Sequence, residues 1–450
     1  MKKLALLLVL LMVLPLAACG PATTPAAGQP TAAPAVKELT IMWAQWDPAD
    51  YLQKVGQLYE QETGIKVTVI QEPWGSFYNR VAAEWAARGT AFDMVVGDSQ
   101  WLGQAATQGH YLELTDFLKS EGIDKTVTEA TLTYYGEYPT GSGRYWAYPT
   151  EGDAVGWAYR KDLFENPEEK AAFKAKYGYD LDVPKTWEQL YQIAEFFTRP
   201  DKGLYGVAIY TQKDYDGITM GFENVFFSWG ADWKDPKTNE VKGWVNSPQA
   251  VEALEFYRKL YAFAPPGSSN DFFAECNNHF TAGEVAMAMN YFAFFPALSN
   301  PATNPYAAVT GFFAVPAGPT GQRFAALGGQ GLSINAYISP ERQEAAKAFI
   351  RWFAREDIQR KWAEFGGYTC NKNVLASEAF LKAQPYNPAF ADTMQVVKDF
   401  WNVPVYGQLL EVVQRELQAY VVGGQGTAKE VLDRIAEEHD RILRQAGLIK

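Results

Sequence analysis

Leu39-Thr40-Ile41-Met42-Trp43, then Ile65-Lys66-Val67-Thr68-Val69-Ile70, then Phe92-Asp93-Met94-Val95-Val96 decide the fold. Each run is short, apolar and rich in β-branched residues, and reads as a strand. Between the first two lies 51–62, with Leu52, Val55, Leu58 and Tyr59 at helical spacing and Gly64 placed to end the helix. Residues 77–87 read as a second helix before the third strand. Strand-helix-strand-helix-strand predicts a parallel α/β sheet. Ligands of such sheets bind beyond the carboxyl ends of the strands, where 44–47 and 97–101 fall.

The same grammar returns further along. Residues 154–159 and 204–210 read as strands. Thr186-Trp187-Glu188-Gln189 is a capping box, opening a helix with Leu190, Ile193, Ala194 and Phe197 on one face. Ser247-Pro248 and Ser339-Pro340 each place an N-cap before a first-turn proline. Thr427-Ala428-Lys429-Glu430 is a second capping box, and Val431, Leu432, Ile435, His439, Ile442 and Leu443 stripe the helix it opens. A body of about 410 residues is enough for two lobes, each with its own core.

The N-terminus reads as an export signal. Lys2 and Lys3 precede the apolar run 4–14, which is shorter than the ~20 residues a membrane span needs. Leu16-Ala17-Ala18-Cys19 resembles the bacterial lipobox. That resemblance implies cleavage after residue 18 and a lipid on Cys19, whose acyl chains together hold a protein on a membrane. Residues 20–37 are almost entirely Ala, Pro, Thr and Gly, with no charge before Lys37. Such a stretch has nothing to bury and reads as a flexible tether.

Removing the two leader lysines takes the formal charge from −12 to −14, which argues against nucleic acid or an acidic membrane surface as partner. No later stretch is long and apolar enough to cross a membrane; 285–298 comes closest and contains Asn290 and Pro296. The chain holds 14 Trp, 25 Tyr and 27 Phe, a surplus that suits carbohydrate, whose C–H faces pack on flat rings. Cys276 and Cys370 remain for an exported compartment that permits disulfides, and their pairing is open.

Motifs for catalysis are missing from the sequence. His110, His279 and His439 are far apart, with no His-x-x-x-His or Cys-x-x-Cys spacing, no Gly-x-Ser-x-Gly elbow and no phosphate loop. An exported carbohydrate hydrolase, which needs two positioned carboxylates, is the enzyme alternative; acidic residues are plentiful but no motif marks a pair. Gln212-Lys213-Asp214-Tyr215-Asp216-Gly217, with Glu223 beyond, approaches a calcium loop. Gln stands at its first ligand position and no partner hand follows, so the match reads as chance. The expectation is a protein that is not an enzyme and uses no cofactor or metal.

Several motifs, in order, carry a family resemblance. Trp43 with Gly64-Ile65-Lys66-Val67-Thr68-Val69 comes first, followed by Phe92-Asp93-Met94-Val95-Val96 before Asp98. Ala147-Tyr148-Pro149 and Tyr159-Arg160-Lys161-Asp162-Leu163-Phe164 come next, followed by Val183-Pro184-Lys185-Thr186-Trp187-Glu188. Phe280 with Gly283-Glu284-Val285-Ala286-Met287, Ser333-Ile334-Asn335-Ala336 and 428–432 complete the series. Together they resemble the type 1 extracellular solute-binding proteins of bacterial ABC importers, whose familiar relative is maltose-binding protein.

The resemblance implies a two-lobed periplasmic-binding-protein (type II) fold with a hinge between the lobes. Lobe 1 would be 38–150 plus 329–401 and lobe 2 would be 154–326 plus 405–450, after a signal at 1–18 and an anchor and tether at 19–37. It implies capture of a neutral sugar, oligosaccharide or polyol in the interlobe cleft, docking on the importer's permease subunits, a monomer, and a place outside the cytoplasmic membrane. A phosphorylated sugar, a peptide or another small solute is the alternative, although phosphate would want Arg or Lys in the cleft. By position in the matching motifs the cleft would be lined by Gln45, Trp46, Asp98, Gln100 and Trp101 from lobe 1, and by Glu151 and Asp153 at the crossing. From lobe 2 would come Tyr215, Asp216, Trp229, Asn290, Tyr291 and Phe292, with Gly329, Gln330 and Tyr368 as further contacts. Asp216 reads equally as the N-cap of the next helix.

Overall fold

The computed structural model describes residues 36–214 and 216–450. The signal, Cys19 and nearly all of the tether lie outside the described residues, as does Tyr215.

Among the described residues, nine of eleven strands are arranged in two main sheets. The first joins β1 (Glu38–Ala44), β2 (Lys66–Glu72), β3 (Met94–Asp98), β4 (Tyr148–Glu151) and β10 (Gln330–Ile334), in the order β2-β1-β3-β10-β4. The second joins β5 (Val155–Arg160), β6 (Tyr205–Ala208), β7 (Val285–Tyr291) and β8 (Thr310–Phe313), in the order β6-β7-β5-β8. Two-residue strands β9 (Ala325–Ala326) and β11 (Val397–Lys398) pair in parallel beside them.

The three opening strands pair in parallel as their helical connections require. The first sheet as a whole is mixed. β10 runs antiparallel to β3, with Gln330 opposite Asp98, and antiparallel to β4. It enters this sheet from the end of the second, so its direction is opposite to that of the strands beside it. The register matters for function because it places Gln330 next to the carboxyl end of β3.

The helices start where the sequence signals them. Ser247, Ser339 and Thr427 each accept a backbone N–H three residues on, and Glu430 completes its capping box. The helices Pro340–Phe353 and Glu356–Phe365 pack on the first lobe, whereas Tyr406–Val421 and Ala428–Gln445 pack on Gly217–Ser228 and Pro248–Tyr261 of the second. The helix Asn387–Thr393 reaches β5 and β8 of the second sheet. No helix of the described residues is long and apolar enough to cross a membrane.

The chain passes between the sheets at 152–154, 327–329 and 399–405. These crossings are tied together: Ala154 pairs with Leu327, and Gly328 N donates to Asp153 O at 3.0 Å. Cys276 and Cys370 are buried, unpaired thiols. Cys276 lies in a helix packed on β7, while Cys370 Sγ lies where a Cβ on Gly152 would come within 3.1 Å. The open question of a bond between them is thus answered in the negative.

A charged pin holds the end of the helix Phe273–Thr281. His279 approaches Asp271 through Nε2 at 3.1 Å and Glu284 through Nδ1 at 2.6 Å. The hydrogen bond to Asp271, then that to Glu284, raises its pKa to about 9 against partial burial. This stabilisation is complete below the unfolded value near 6.5 and is lost as pH rises through 9. Melting temperature is expected to fall between pH 7 and 9.5 by an amount worth about 1–2 kcal/mol after screening. His279→Gln should remove that part of the slope, and an unchanged slope in a pH series of thermal melts would refute the pin.

Candidate functional site

A cavity of about 420 Å³ opens where the crossings meet the carboxyl ends of the first-sheet strands. From the first lobe it takes Trp46 after β1, Trp74 after β2, Asp98 at the end of β3, and Ser99 and Gln100 after it. Asp153, Leu327 and Gly328 come from the crossings, and Gln330 starts β10. The second lobe supplies Gln212, Asp216, Tyr291 and the cluster Phe272, Phe273, Ala274, Glu275 and Phe294. A larger cavity of about 830 Å³ adjoins it, with Trp46 and Phe294 lining both.

Asp216 carries the strongest local evidence. It occupies the N-cap position of the helix Gly217–Ser228, where an aspartate ordinarily accepts a bond from the first turn. Its side chain makes no such cap. Instead Oδ2 accepts from Gln100 Nε2 at 2.9 Å, joining the loop after β3 to the second lobe. Oδ1 is buried with no partner. Burial, reinforced by repulsion from Asp98, pushes this carboxyl up to about 8. Asp399, on the third crossing, is likewise pushed up to about 7 by burial, although its Oδ1 accepts from Phe400 N at 2.8 Å.

Asp153 is held by its neighbours. Its Oδ1 accepts from Ala154 N at 2.8 Å and Ala293 N at 3.2 Å, and its carbonyl accepts from Tyr135 O–H at 3.0 Å. Burial nevertheless raises its pKa well above the usual carboxylate range. Gln330 is oriented by Trp43 Nε1–H, which donates to its Oε1. Trp46 meets Trp43 and Trp74 edge to face at 5.6 and 5.3 Å. Phe273 and Phe294 stack at 4.3 Å. Rings that pack on C–H faces, with carboxylates and amides between them, are suited to a polyhydroxylated solute.

Of the residues expected from sequence, Trp46, Asp98, Gln100, Asp153, Asp216, Tyr291 and Gln330 converge on this cavity. Tyr368 lines the outer one, and its O–H donates to Phe292 O at 2.8 Å. The remainder sit elsewhere for identifiable reasons. Gln45 is exposed, its N–H continuing the ladder to Glu72 O. Trp101 packs on Phe77 and Tyr78. Glu151 is fully buried behind the crossing and accepts from Tyr368 N at 3.3 Å; burial, then repulsion from Asp153, raises its pKa strongly.

Trp229 packs on Phe256, and Phe292 on Phe295 and Phe390. Asn290 is consumed by core bonds to Tyr210, Asn277 and Phe273 O. Gly329 is required by space, since a Cβ there would come 2.0 Å from the Tyr135 ring.

Glu223 does not close a calcium loop. It lies inside the helix Gly217–Ser228 and accepts from Trp233 Nε1 at 2.7 Å. Among the described residues no group of three or more His, Cys, Asp or Glu is arranged to hold a metal. Sequence reasoning missed Trp74, Phe272, Phe273 and Phe294. Only Trp74 had a signal, since it follows β2 at the end where ligands bind.

Two α/β lobes, three crossings and a polar, aromatic cavity among them define a two-lobed binding protein. The chain matches the bacterial extracellular solute-binding protein family over residues 45–360 and belongs to it. It is 28% identical over 374 residues to a probable ABC transporter-binding protein of Deinococcus radiodurans, covering 81% of this chain and 78% of that one. The maltose-bound MalE3 of T. maritima superposes with a TM-score of 0.74 at 26% identity, over 90% of this chain and 100% of that one. A ribitol-bound solute-binding protein of Agrobacterium radiobacter K84 gives 0.74 at 24% identity, over 91% and 99%. The fold is the type II periplasmic-binding-protein fold.

Proposed function

We propose that the chain captures a sugar, oligosaccharide or polyol between its lobes and delivers it to the permease subunits of an ABC importer. The observation that carries this reading is Asp216, which forgoes its helix cap to meet Gln100 across the cavity. Both lobes therefore contribute polar atoms to one ligand, and a closed state gains contacts that an open state lacks. That differential affinity is what drives hinge closure. The maltose and ribitol held by the two structural relatives support a polyhydroxylated ligand.

In this reading Cys19 carries the lipid that holds a monomer at the outer face of the cell membrane, and 20–37 is its tether. Lobe 1 is 38–150 plus 329–401 and lobe 2 is 154–326 plus 405–450. The protein binds without transforming its ligand. Micromolar capture needs about −8 kcal/mol, which stacking and hydrogen bonds supply to a dozen-atom sugar without covalent chemistry.

A thermal-shift screen of sugars and polyols tests this. The true ligand at 100 times its dissociation constant should stabilise the protein by about 2.7 kcal/mol, and chromatography should recover it unchanged. Turnover would favour the hydrolase alternative, and no stabilisation by any sugar or polyol would refute the reading.

A further inference from the structure

The inner cavity is lined by acidic groups and, among the described residues, by no basic ones. Asp98, Asp153, Asp216 and Glu275 line it, and no Lys, Arg or His does among the described residues. The outer cavity, by contrast, sets Arg360 beside Asp47 and Glu364. Lys398, which attracts Glu223 electrostatically, is already engaged by Asp232 at 2.7 Å. Of these, Asp153 and Asp216 are buried, whereas Asp98 is half-buried and Glu275 exposed; a buried carboxyl with no cation beside it is costly to ionise, and proteins retain such groups chiefly where function needs them.

The second observation is the unpartnered oxygen. Asp216 is 4% exposed, lines the cavity, and leaves Oδ1 without a hydrogen bond. Around the carboxyl groups stand the rings of Trp46, Trp74, Phe272, Phe273, Tyr291 and Phe294. Aromatic faces attract cations through their quadrupole, the more so when desolvated. A neutral polyol would satisfy single hydrogen bonds here and leave the Asp216 carboxyl protonated, whereas a cation beside Oδ1 would let it ionise.

We propose that the captured solute bears an ammonium group, as an amino sugar or amino polyol does, bound by the Asp216 and Asp98 carboxyl groups within the aromatic ring cluster. This rests on the sugar-binding reading and sharpens its ligand class. The ammonium donates to Asp216 Oδ1, while the Gln100 bond to Oδ2 stays in place. Its hydroxyls meet Asp153, Gln330 and Gln212, and the rings cover its C–H faces. The cation restores the missing counter-charge, and the raised carboxyl of Asp216 then ionises.

Calorimetry of the whole protein at pH 7 with matched compounds tests this. The sets are glucose, glucosamine and N-acetylglucosamine; sorbitol and glucamine; and maltose with its 2-, 3- and 6-amino derivatives. At least one amine should bind 10-fold or more tightly than its hydroxyl parent, and acetylation should abolish the gain. Asp216→Asn, which keeps an acceptor for Gln100 and loses the charge, should bring each amine and its hydroxyl parent to equal affinity in that variant. Hydroxyl parents that bind as tightly as every amine would overturn the proposal and leave the sugar reading standing. A preference that survives Asp216→Asn would overturn the role of Asp216. If no compound of any set binds, the sugar reading falls, and this inference with it.

Discussion

Asp216→Ala is expected to weaken ligand binding by at least ~100-fold while the unliganded protein melts at a higher temperature at pH 7 to 8. The loss of affinity follows from geometry. The substitution removes one oxygen free for ligand and another that holds Gln100 from the opposite lobe. Losing both hydrogen bonds leaves the ligand donor and Gln100 unsatisfied in a buried site, at about 1–3 kcal/mol each, which amounts to a factor of ~100 or more. The gain in stability follows from linkage. The folded carboxyl holds its proton up to about 8, whereas the unfolded one releases it near 3.9.

Between those values the native state binds more protons than the unfolded state. Wild-type stability therefore falls as pH rises from about 4 to 8, and the variant lacks this part of the decline. Calorimetric binding and thermal melts on the same samples read both halves. A variant that lost stability at pH 8 would make Asp216 a structural residue. A variant that bound normally would remove it from the site. Opposite signs for affinity and stability are the mark of a side chain kept for binding at a cost to the fold.

Trp157→Ala is expected to cost ~3–5 kcal/mol of stability, the range for truncating a large aromatic in a core. Trp157 is fully buried in β5, between Met289 of β7 and Phe313 of β8. Its ring lies nearly parallel to Phe313 at 5.9 Å and meets Trp187 edge to face at 5.9 Å. Trp187 begins the helix that closes this face of the second sheet, so the cavity would open at the centre of that lobe. Chemical denaturation followed by far-ultraviolet circular dichroism measures the loss. If the lobes unfold separately, only one of two transitions should move. A loss below about 1 kcal/mol would mean that the lobe repacks around the gap.

Within the cavity, sequence was informative about loops and poor about side chains. Asp98 and Gln100 could be placed because strand ends can be read from local pattern, and Gln330 through the family resemblance. Trp229 and Phe292 could not be separated from Trp46 and Tyr291 in the same way. A ring in a core and a ring on a cavity have the same composition and similar neighbours in the chain. Only the packing of Phe256 on Trp229, or of Phe390 on Phe292, distinguishes them. Asn290 shows the same limit: its amide stands near the carboxyl end of β7, as a ligand-binding amide would, yet core partners use it up.

What the sequence determined by itself were the local features: the opening strands and helices, the caps at Ser247, Ser339 and Thr427, and the order of motifs that marks the family. Each depends on residues within a few positions of one another, where hydrophobic spacing and backbone hydrogen bonding dominate. Tertiary structure alone decided the rest. It set β10 antiparallel between β3 and β4, with Gln330 beside Asp98. It brought Gly103 so close to Asn402 that a Cβ would stand 1.5 Å from the carbonyl oxygen. It turned Asp216 from a helix cap into a hydrogen-bond partner of Gln100, 116 positions away. Contacts at such separations leave no periodic trace in the chain, because they are made by whole elements packing and not by neighbouring residues.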